Sequence, residues 1–325
     1  MLTAVAVLLA VCGAVCFAFS AVHQHTAVGQ QTEADQARVD EGAQARHGGR
    51  AMPLGVLGRL VRRPRWLLGM AFAVGGGLLA LVALSLAPLV VIQPVGVLSV
   101  PFALLVHAAH RRRPPSRSEA AAALTTVAAT GAFVWFVTGT AHSRPPEPGP
   151  LLVGTVLVGV LVVAFGLLGR FGPYRWHAVA WTAGGACLYG LGTSMIKSIF
   201  LLWQADGLSS LGQPVVWAAS AVVVMTFPLG VWMIQHAYVA GAPQVVVAGL
   251  TVIDPLICVA LGFTVLGEGG AHPAALVEMV ASAAIAVGAV LVLGRSQALA
   301  LPPPVSHLLD SRPDTRALTT MGTHR

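Results

Sequence analysis

The fold is decided by the stretch LAPLVVIQPVGVLSV, which occupies residues 86–100. It lies inside an apolar segment that runs from Trp66 to Ala108, about twice the ~20 residues that one helix needs to cross a hydrocarbon core. The segment must therefore form two spans, and the hairpin between them is predicted to turn at Ala87-Pro88. A hairpin of this kind predicts a chain that crosses a membrane more than once.

Outward from this hairpin, seven more apolar stretches are long enough to cross a bilayer. Hydrophobic residues form 56% of the chain and charged residues 10%, whereas roughly 25% of a soluble domain is charged. The sequence therefore predicts an all-α polytopic membrane protein with about nine transmembrane helices, and it excludes soluble nucleic-acid-binding proteins. The nine predicted spans are Leu2–Val22, Trp66–Leu86, Pro88–Ala108, Ala120–Thr140, Leu151–Leu168, Ala178–Leu202, Val215–Ile234, Val245–Leu266 and Pro273–Leu293.

The basic residues are distributed unevenly across the predicted membrane. Seventeen of the nineteen Lys and Arg residues follow spans one, three and five or lie in the tail. The other two are Arg144, in an outer loop, and Lys197, inside span six. The positive-inside rule then predicts a plasma-membrane protein with its N-terminus outside and its C-terminus in the cytoplasm.

The predicted organisation follows from the spans and their orientation. Residues 1–22 form the first transmembrane helix, 23–65 a polar cytoplasmic loop, 66–168 the rest of a first repeat, 169–294 a second repeat, and 295–325 a disordered cytoplasmic tail. A cleaved signal peptide is the alternative for the first span, because Phe19-Ser20-Ala21 resembles a cleavage site. Against cleavage, no Lys or Arg precedes this apolar run.

Two short matches predict the internal repeat. Residues 87–96 of span three, APLVVIQPVG, are similar to residues 242–251 of span eight, APQVVVAGLT. Residues 13–17 of span one, GAVCF, match residues 184–188 of span six, GGACL, more weakly. Both matches are five spans apart, and because five is odd the two copies must cross the membrane in opposite directions. An inverted repeat is a signature of alternating-access transporters. Here it is predicted as five helices, with the last one missing from the second copy.

Asp254 is the sharpest candidate for a transport site. It lies about 15 Å along span eight, near the bilayer midplane, where an ionised Asp costs about 2.5–3.5 kcal/mol. Because an Asp followed by a Pro is typical of a helix start, span eight is predicted to break and restart here. Span three is interrupted at the matching depth, and paired interruptions point to a transport site. The predicted site is Asp254, Pro255 and Thr251 with Gln93, Pro94, Gly96 and Ser99. Asp254 is either a proton carrier or only a helix cap.

Three other charged residues are secondary candidates. Lys197, the only lysine, lies near the outer end of span six and is predicted to extend its ammonium group outward to the membrane surface. Glu268 and Glu278 are predicted near the outer face, either as solvated carboxylates or as a vestibule that attracts cations. The four cysteines lie inside spans and are interpreted as free thiols. The sequence contains no metal-binding, cofactor or catalytic motif, so no enzyme is predicted.

The run Leu86–Val100 also resembles a known family. It is similar to the "FAPAxLVTPLGALSV" run of the drug/metabolite transporter superfamily, in the branch around the NIPA-type magnesium transporters, and Trp66 opens span two as it does there. Residues 261–268, LGFTVLGE, are similar to the "GE" ending of EamA-type spans. The resemblance implies a transporter fold and, within this branch, magnesium as the substrate.

One departure weakens magnesium as the substrate. The resemblance implies an acidic and an amide residue in span two, where this chain has Gly77 and Ala80. A hard dication needs oxygen ligands, and few are available in the predicted membrane core.

Three functions therefore stay open. The first is a secondary carrier for a small organic solute, coupled to protons through Asp254. The second is a NIPA-like carrier of magnesium or other divalent cations, and the third is a membrane scaffold or partner protein that does not transport. The expected partners are the lipid bilayer and a small-molecule or cation substrate, without nucleic acid; a homodimer is also left open.

Overall fold

The computed structural model describes residues 2–41, 64–111, 114–138, 141–241 and 243–269, with 277, 281, 284, 285, 288 and 289. This part of the chain is helical and contains no strand. The α-helices are α1 (Leu2–Glu41), α2 (Pro64–Leu86), α3 (Leu89–Gly96), α4 (Ser99–Arg111), α5 (Arg117–Thr138), α6 (Pro148–Phe171), α7 (His177–Asp206), α8 (Pro214–Ala240) and α9 (Pro243–Thr264). Two 3-10 helices, Tyr174–Trp176 and Gly207–Gly212, flank α7.

Eight of the nine predicted spans are confirmed as helical segments long and apolar enough to cross a membrane. Helices α3 and α4 together form one of these segments, Leu89–Ala109. The many large apolar side chains exposed on the outside of the bundle are therefore expected to face lipid. The ninth span, Pro273–Leu293, falls mostly outside the described residues, so the count of nine stays a prediction.

Helix α1 is longer than the sequence predicted. The polar loop was expected to begin at residue 23, but the helix continues to Glu41. This extension is rich in Gln, Ala and Glu, which are good helix formers. Low hydrophobicity ends a membrane span, but it does not by itself end a helix.

Local sequence explains several of the helix starts. Pro148, Pro214 and Pro243 each open a helix, where the missing N–H of proline costs nothing. Helix α5 begins with a capping box: the Ser116 N–H donates to Glu119 Oε2 at 2.8 Å, and the Glu119 N–H donates to Ser116 Oγ at 3.3 Å. These starts are fixed by residues within one turn of the helix end.

The helices pack as two groups that meet at α3 and α9. In the first group α1 lies against α2, α3 and α4, and in the second α7 lies against α6, α8 and α9. Each group has its own apolar core, built around Leu89 and Cys187 in one cluster and around Val90 and Ala14 in the other. Helix α3 contributes to both cores, so it is the element through which the two groups contact each other.

Glycine allows the closest helix contacts. Helices α1 and α2 cross at Gly13 and Gly76, where a Cβ on either glycine would lie 3.0–3.1 Å from the carbonyl oxygen of the other. Helix α7 approaches α9 at Gly190, where a Cβ would lie 2.8 Å from Ile257 and 3.0 Å from the Asp254 carbonyl oxygen. Small residues at such crossings are the usual solution for helices packed in membranes.

The predicted interruption of span three is confirmed, and that of span eight is wrong. Span three breaks at Val97-Leu98, between α3 and α4, just after Pro94 and Gly96. Helix α9 instead runs without a break through Asp254-Pro255. A proline inside a helix removes one hydrogen bond, and neighbouring groups in a membrane bundle can compensate for that loss. Asp254 is therefore not a helix cap.

Candidate functional site

The most unusual feature of the structure is the break between α2 and α3 at Ala87-Pro88, called here the α2–α3 joint. Breaking a helix leaves N–H groups without partners at the start of the new helix and carbonyl groups without partners at the end of the old one. No side chain near Pro88 in the sequence caps α3. The free groups of this joint must therefore be satisfied by residues from elsewhere in the chain.

The Glu268 carboxylate caps the start of α3. The backbone N–H groups of Leu89 and Val90 donate to its Oε1 and Oε2 atoms at 2.9 and 2.8 Å. The Ser143 hydroxyl donates to Oε1 at 2.6 Å. Glu268 is 2% exposed, so the carboxylate replaces water with three protein donors. Its negative charge also lies at the positive end of the α3 dipole, which favours it further.

A glycine turn after α9 brings Glu268 to this place. Gly267 has φ +62°, a conformation that other residues rarely adopt, and it reverses the chain after the helix. The Glu268 N–H then donates back to the Gly262 carbonyl at 2.9 Å. Gly262 leaves the room that the carboxylate occupies, because a Cβ there would lie 2.7 Å from Glu268 Oε2. The two glycines of this segment thus give the "GE" sequence a structural reason.

The opposite side of the joint is capped by Lys197. Its ammonium Nζ donates to the carbonyl oxygens of Leu84 and Ala87, each at 2.8 Å. A second residue of α7 also caps the end of α2, since the Gln204 amide donates to the Ser85 carbonyl at 2.7 Å. Lys197 is 2% exposed. A positive charge at the C-terminal end of a helix is favourable, for the same reason that a negative one is at the start.

These contacts correct two predictions from the sequence. Lys197 does not extend to the surface, because the carbonyl groups at the end of α2 give its ammonium partners inside the protein. Glu268 is not a solvated carboxylate, because two free amides and a hydroxyl hold it inside. Glu278 lies outside the described residues.

The two charges act on one joint from opposite sides. Each makes its hydrogen bonds with backbone groups and Ser143 rather than with the other charge, although the two are close enough to attract each other. Burying a single charge is expensive unless it is paired and hydrogen-bonded. Backbone groups and Ser143 supply the hydrogen bonds for both charges, so Lys197 and Glu268, from the second half of the chain, stabilise the helix break in the first half.

A cavity of about 290 Å³, called here the Lys197 cavity, opens beside the joint. Its lining is mostly polar and comes from the start of α1, the joint itself, the segment after α5, and α7. The lining residues are Thr3, Ser85, Leu86, Ala87, Pro88, Thr138, Ala141, His142, Ser143, Lys197, Leu201 and Gln204. Sequence reasoning missed the cavity, because its walls come from segments up to two hundred residues apart.

Asp254 has different surroundings. It is partly buried at the contact of α9 with α7, and the Cys258 thiol lies 3.7 Å from its Oδ1 atom. The same thiol lies 3.5 Å from the Gly190 carbonyl oxygen. The Thr251 hydroxyl donates to the Val247 carbonyl at 2.8 Å, within its own helix. None of these residues lines the Lys197 cavity.

The predicted transport-site residues are divided between two helical segments. Asp254, Pro255 and Thr251 lie on α9, while Gln93, Pro94 and Gly96 lie on α3 and Ser99 begins α4. Helices α3 and α9 do pack together, and a Cβ on Gly262 would lie 2.7 Å from Val90. This contact between α3 and α9 lies near the α2–α3 joint. A polar cavity that gathers Asp254 with Gln93, Ser99 and Thr251 stays a prediction.

Signals for the joint were present in the sequence. Lys197 is the only lysine and lies within an apolar span, and Glu268 follows a glycine at the end of another. Both features indicate charges that need partners. Ser143 and Gln204 gave no signal, because single polar residues near span ends are common. Among the described residues, no three His, Cys, Asp or Glu side chains come together as metal ligands would.

Comparison with known proteins identifies a relative of this chain. No protein-family model matches the chain, and no solved structure matches it. An uncharacterized protein from Corynebacterium glutamicum is 30% identical over 209 residues, which cover 63% of this chain and 70% of that protein. The name of that protein states no activity.

Proposed function

We propose that this chain, which belongs to the same family as the uncharacterized Corynebacterium glutamicum protein, is a membrane carrier for a small organic solute. The proposal follows the drug/metabolite transporter type that span three resembles. The observation that carries it is the α2–α3 joint, where a broken helix, two buried charges and an open polar cavity coincide. Buried charges and interrupted helices in a membrane bundle are both associated with transport pathways.

The joint also connects the two halves of the chain. Lys197 and Glu268 come from the second half, and the helix ends that they cap, α2 and α3, belong to the first half. A carrier has to move one half against the other around its binding site. Charges held by backbone groups at such a boundary can exchange partners when the helices move, whereas an apolar contact has no such alternative partner.

The helix packing supports the proposed inverted repeat. Span one packs on spans two and three, and span six packs on spans seven and eight, which is the same pattern shifted by five. Gly13 and Gly184, matched in the sequence, each face the next span. A Cβ on Gly13 would meet the Gly76 carbonyl oxygen of α2 at 3.1 Å, and one on Gly184 would meet the Met233 side chain of α8. The reversed direction of the second copy belongs to the proposal.

Orientation is the part of the proposal most directly tested. With the N-terminus outside, the joint and the Lys197 cavity lie toward the outer face, because α2 runs outward from the Arg-rich loop. Reporter fusions after Arg295 are expected to behave as cytoplasmic, and fusions within residues 144–150 as external. A reporter active outside the membrane after Arg295 would reverse the orientation.

The function is tested by comparing cells that lack the gene, carry it, or overexpress it, with metabolites and metals measured in cells and medium. A carrier predicts at least one small organic solute that changes in opposite directions in cells and medium and is restored by the wild-type gene. Cells that carry the Glu147→Gln variant are a control and are expected to behave like cells with the wild-type gene, because Glu147 is an exposed carboxylate before α6. A change confined to magnesium would instead support a divalent-cation carrier. No change in any solute would support a scaffold.

A further inference from the structure

We propose that the Lys197 cavity binds the carboxylate group of a small organic anion and that Lys197 is its counter-ion. The inference rests on the proposed function, because it assigns the substrate class of the carrier. It begins from the ammonium group itself. An ammonium has three N–H donors, and two of them bond to Leu84 and Ala87. The third N–H is left for a ligand in the cavity that Lys197 lines.

Three hydroxyl groups of the cavity can only accept hydrogen bonds from a ligand. The hydroxyl protons of Ser85, Thr138 and Ser143 are already donated to Val82, Val134 and Glu268. The Gln204 amide has two N–H donors and uses one for the Ser85 carbonyl. Thr3 and His142 complete the polar lining. Of the donors of Lys197, Ser85, Thr138, Ser143 and Gln204, one ammonium N–H and one amide N–H remain. Both groups converge on the last turn of α2, between Leu84 and Ala87.

This donor pair matches a carboxylate. A carboxylate presents two acceptor oxygens and one negative charge, and Lys197 and Gln204 each offer it one N–H donor, with Lys197 as the one Lys or Arg among the lining residues. A phosphate ester would carry a second negative charge, for which the lining holds no second Lys or Arg. A cation would be repelled by the Lys197 ammonium. The Glu268 carboxylate could not offset this repulsion, because its oxygens accept from Leu89, Val90 and Ser143 and do not line the cavity.

The volume limits the ligand to a small molecule. About 290 Å³ lies at the low end of the 300–1,000 Å³ typical of ligand pockets, and it corresponds to roughly ten water molecules at ~30 Å³ each. A carboxylate with a short alkyl or single-ring body fits this space. The apolar part of the wall, Leu86, Pro88 and Leu201, would accommodate that body.

The sole lysine makes the proposal directly measurable. In the full-length purified protein, lysine labelled with ¹³C at the ε-carbon gives one lysine resonance, which reports on this cavity alone. Acetate, butyrate and benzoate are titrated over the millimolar range, where one charge-assisted contact is detectable. The matched neutral amides, acetamide, butyramide and benzamide, have nearly the same shape without the charge. We expect a saturable shift of the Lys197 resonance with at least one acid and none with its amide.

Two variants that change net charge equally provide the control. Gln204→Glu places a carboxylate at the exposed rim of the cavity and is expected to weaken acid binding about ten-fold or more. Arg144→Gln removes a positive charge from an exposed side chain that does not line the cavity, and is expected to change binding less than about two-fold. Equal shifts with acids and amides, equal weakening by both variants, or no saturable shift with any acid would overturn the proposal.

The carrier and the cavity can fail separately. If the protein binds acids saturably but its loss changes no cellular solute, the carrier function is rejected and the carboxylate site is kept. If the wild-type protein moves a neutral or cationic solute, the carrier function is kept and the carboxylate site is rejected.

Discussion

Two carboxyl groups inside the helical bundle, Glu268 and Asp254, have opposite relations to the backbone around them. Glu268 follows the end of α9 and accepts hydrogen bonds from two free amides and a hydroxyl. Asp254 lies in the middle of the same helix, where the backbone amides are used by the helix itself, and its Oδ1 atom accepts from the Cys258 thiol. The comparison shows that a buried carboxylate becomes structural where helix ends leave backbone groups unpaired.

The difference separates stability from function. A carboxylate that holds backbone N–H groups cannot change its charge without weakening the fold, whereas one bonded only to a thiol can gain or lose a proton at little structural cost. Glu268 is therefore assigned to the architecture of the joint, and Asp254 is left as the residue suited to coupling. Substitutions at four positions test that division, and they are ordered by expected effect.

The largest effect is expected from Glu268→Leu. It leaves the amides of Leu89 and Val90 buried without acceptors and removes the charge that opposes Lys197. Each buried amide left without an acceptor costs about 1–3 kcal/mol, so we expect a loss of about 3–5 kcal/mol in the free energy of unfolding. Denaturation in mixed detergent micelles measures it. Glu147→Gln, on an exposed carboxylate, should change the same quantity by less than about 0.5 kcal/mol. A fully stable Glu268→Leu protein would remove the structural role of Glu268.

The second effect is expected from Lys197→Met, which keeps the side-chain length and removes the ammonium. The carbonyl groups of Leu84 and Ala87 lose their donor, but buried carbonyls tolerate this better than buried N–H groups do. We expect a loss of about 2–3 kcal/mol, smaller than that of Glu268→Leu. In the double variant the two losses should not add, and the coupling should reach about 1–3 kcal/mol. Additive losses would show that the two caps work independently.

The third effect tests the packing that positions Asp254. A Cβ on Gly190 would lie 2.8 Å from Ile257 and 3.0 Å from the Asp254 carbonyl oxygen, so Gly190→Ala must push α7 and α9 apart. We expect a loss of about 1–3 kcal/mol, as for other overpacked contacts. Gly77→Ala is the matched control: nothing lies within 4 Å of the added Cβ, and alanine favours the helix by about 0.5–1 kcal/mol. Equal effects of the two alanines would contradict the close contact at Gly190.

The sequence predicted the spans well because length and apolarity are local properties. Span two was predicted as Trp66–Leu86, and the structure has the same limits. The joint at Ala87-Pro88 was also predicted, since two spans in one apolar run require a turn. The caps of that joint were not, because Glu268 lies 179 residues from Leu89 in the sequence. Only the folded arrangement of the two groups of helices brings them together.

The wrong prediction at Asp254 has the converse cause. A local rule, that Asp followed by Pro starts a helix, was applied where the surroundings decide otherwise. Residues before and after Asp254-Pro255 are apolar and pack against α7 and α3, so both sides of the proline gain more from one continuous helix than from a break. At the exposed start of α5, by contrast, the local capping box of Ser116 and Glu119 does form, because no packing competes with it.

The smallest effect on stability is expected at Asp254, and it gives the sharpest test of the comparison. If Asp254 were a helix cap, Asp254→Leu would destabilise the protein and Asp254→Asn would not. Because α9 continues through Asp254 and its side chain holds no backbone amide, both variants should unfold within about 1 kcal/mol of the wild type. Transport should respond differently, since neither Asn nor Leu can carry a proton. Flux of the solute identified in cells, driven by a pH gradient across reconstituted vesicles, is therefore expected to fall to background in both variants, while exchange without a gradient persists at least in Asp254→Asn. Wild-type flux from Asp254→Asn would show that the partly buried carboxyl is not the coupling group, and a strongly unstable Asp254→Leu would show that it is structural after all.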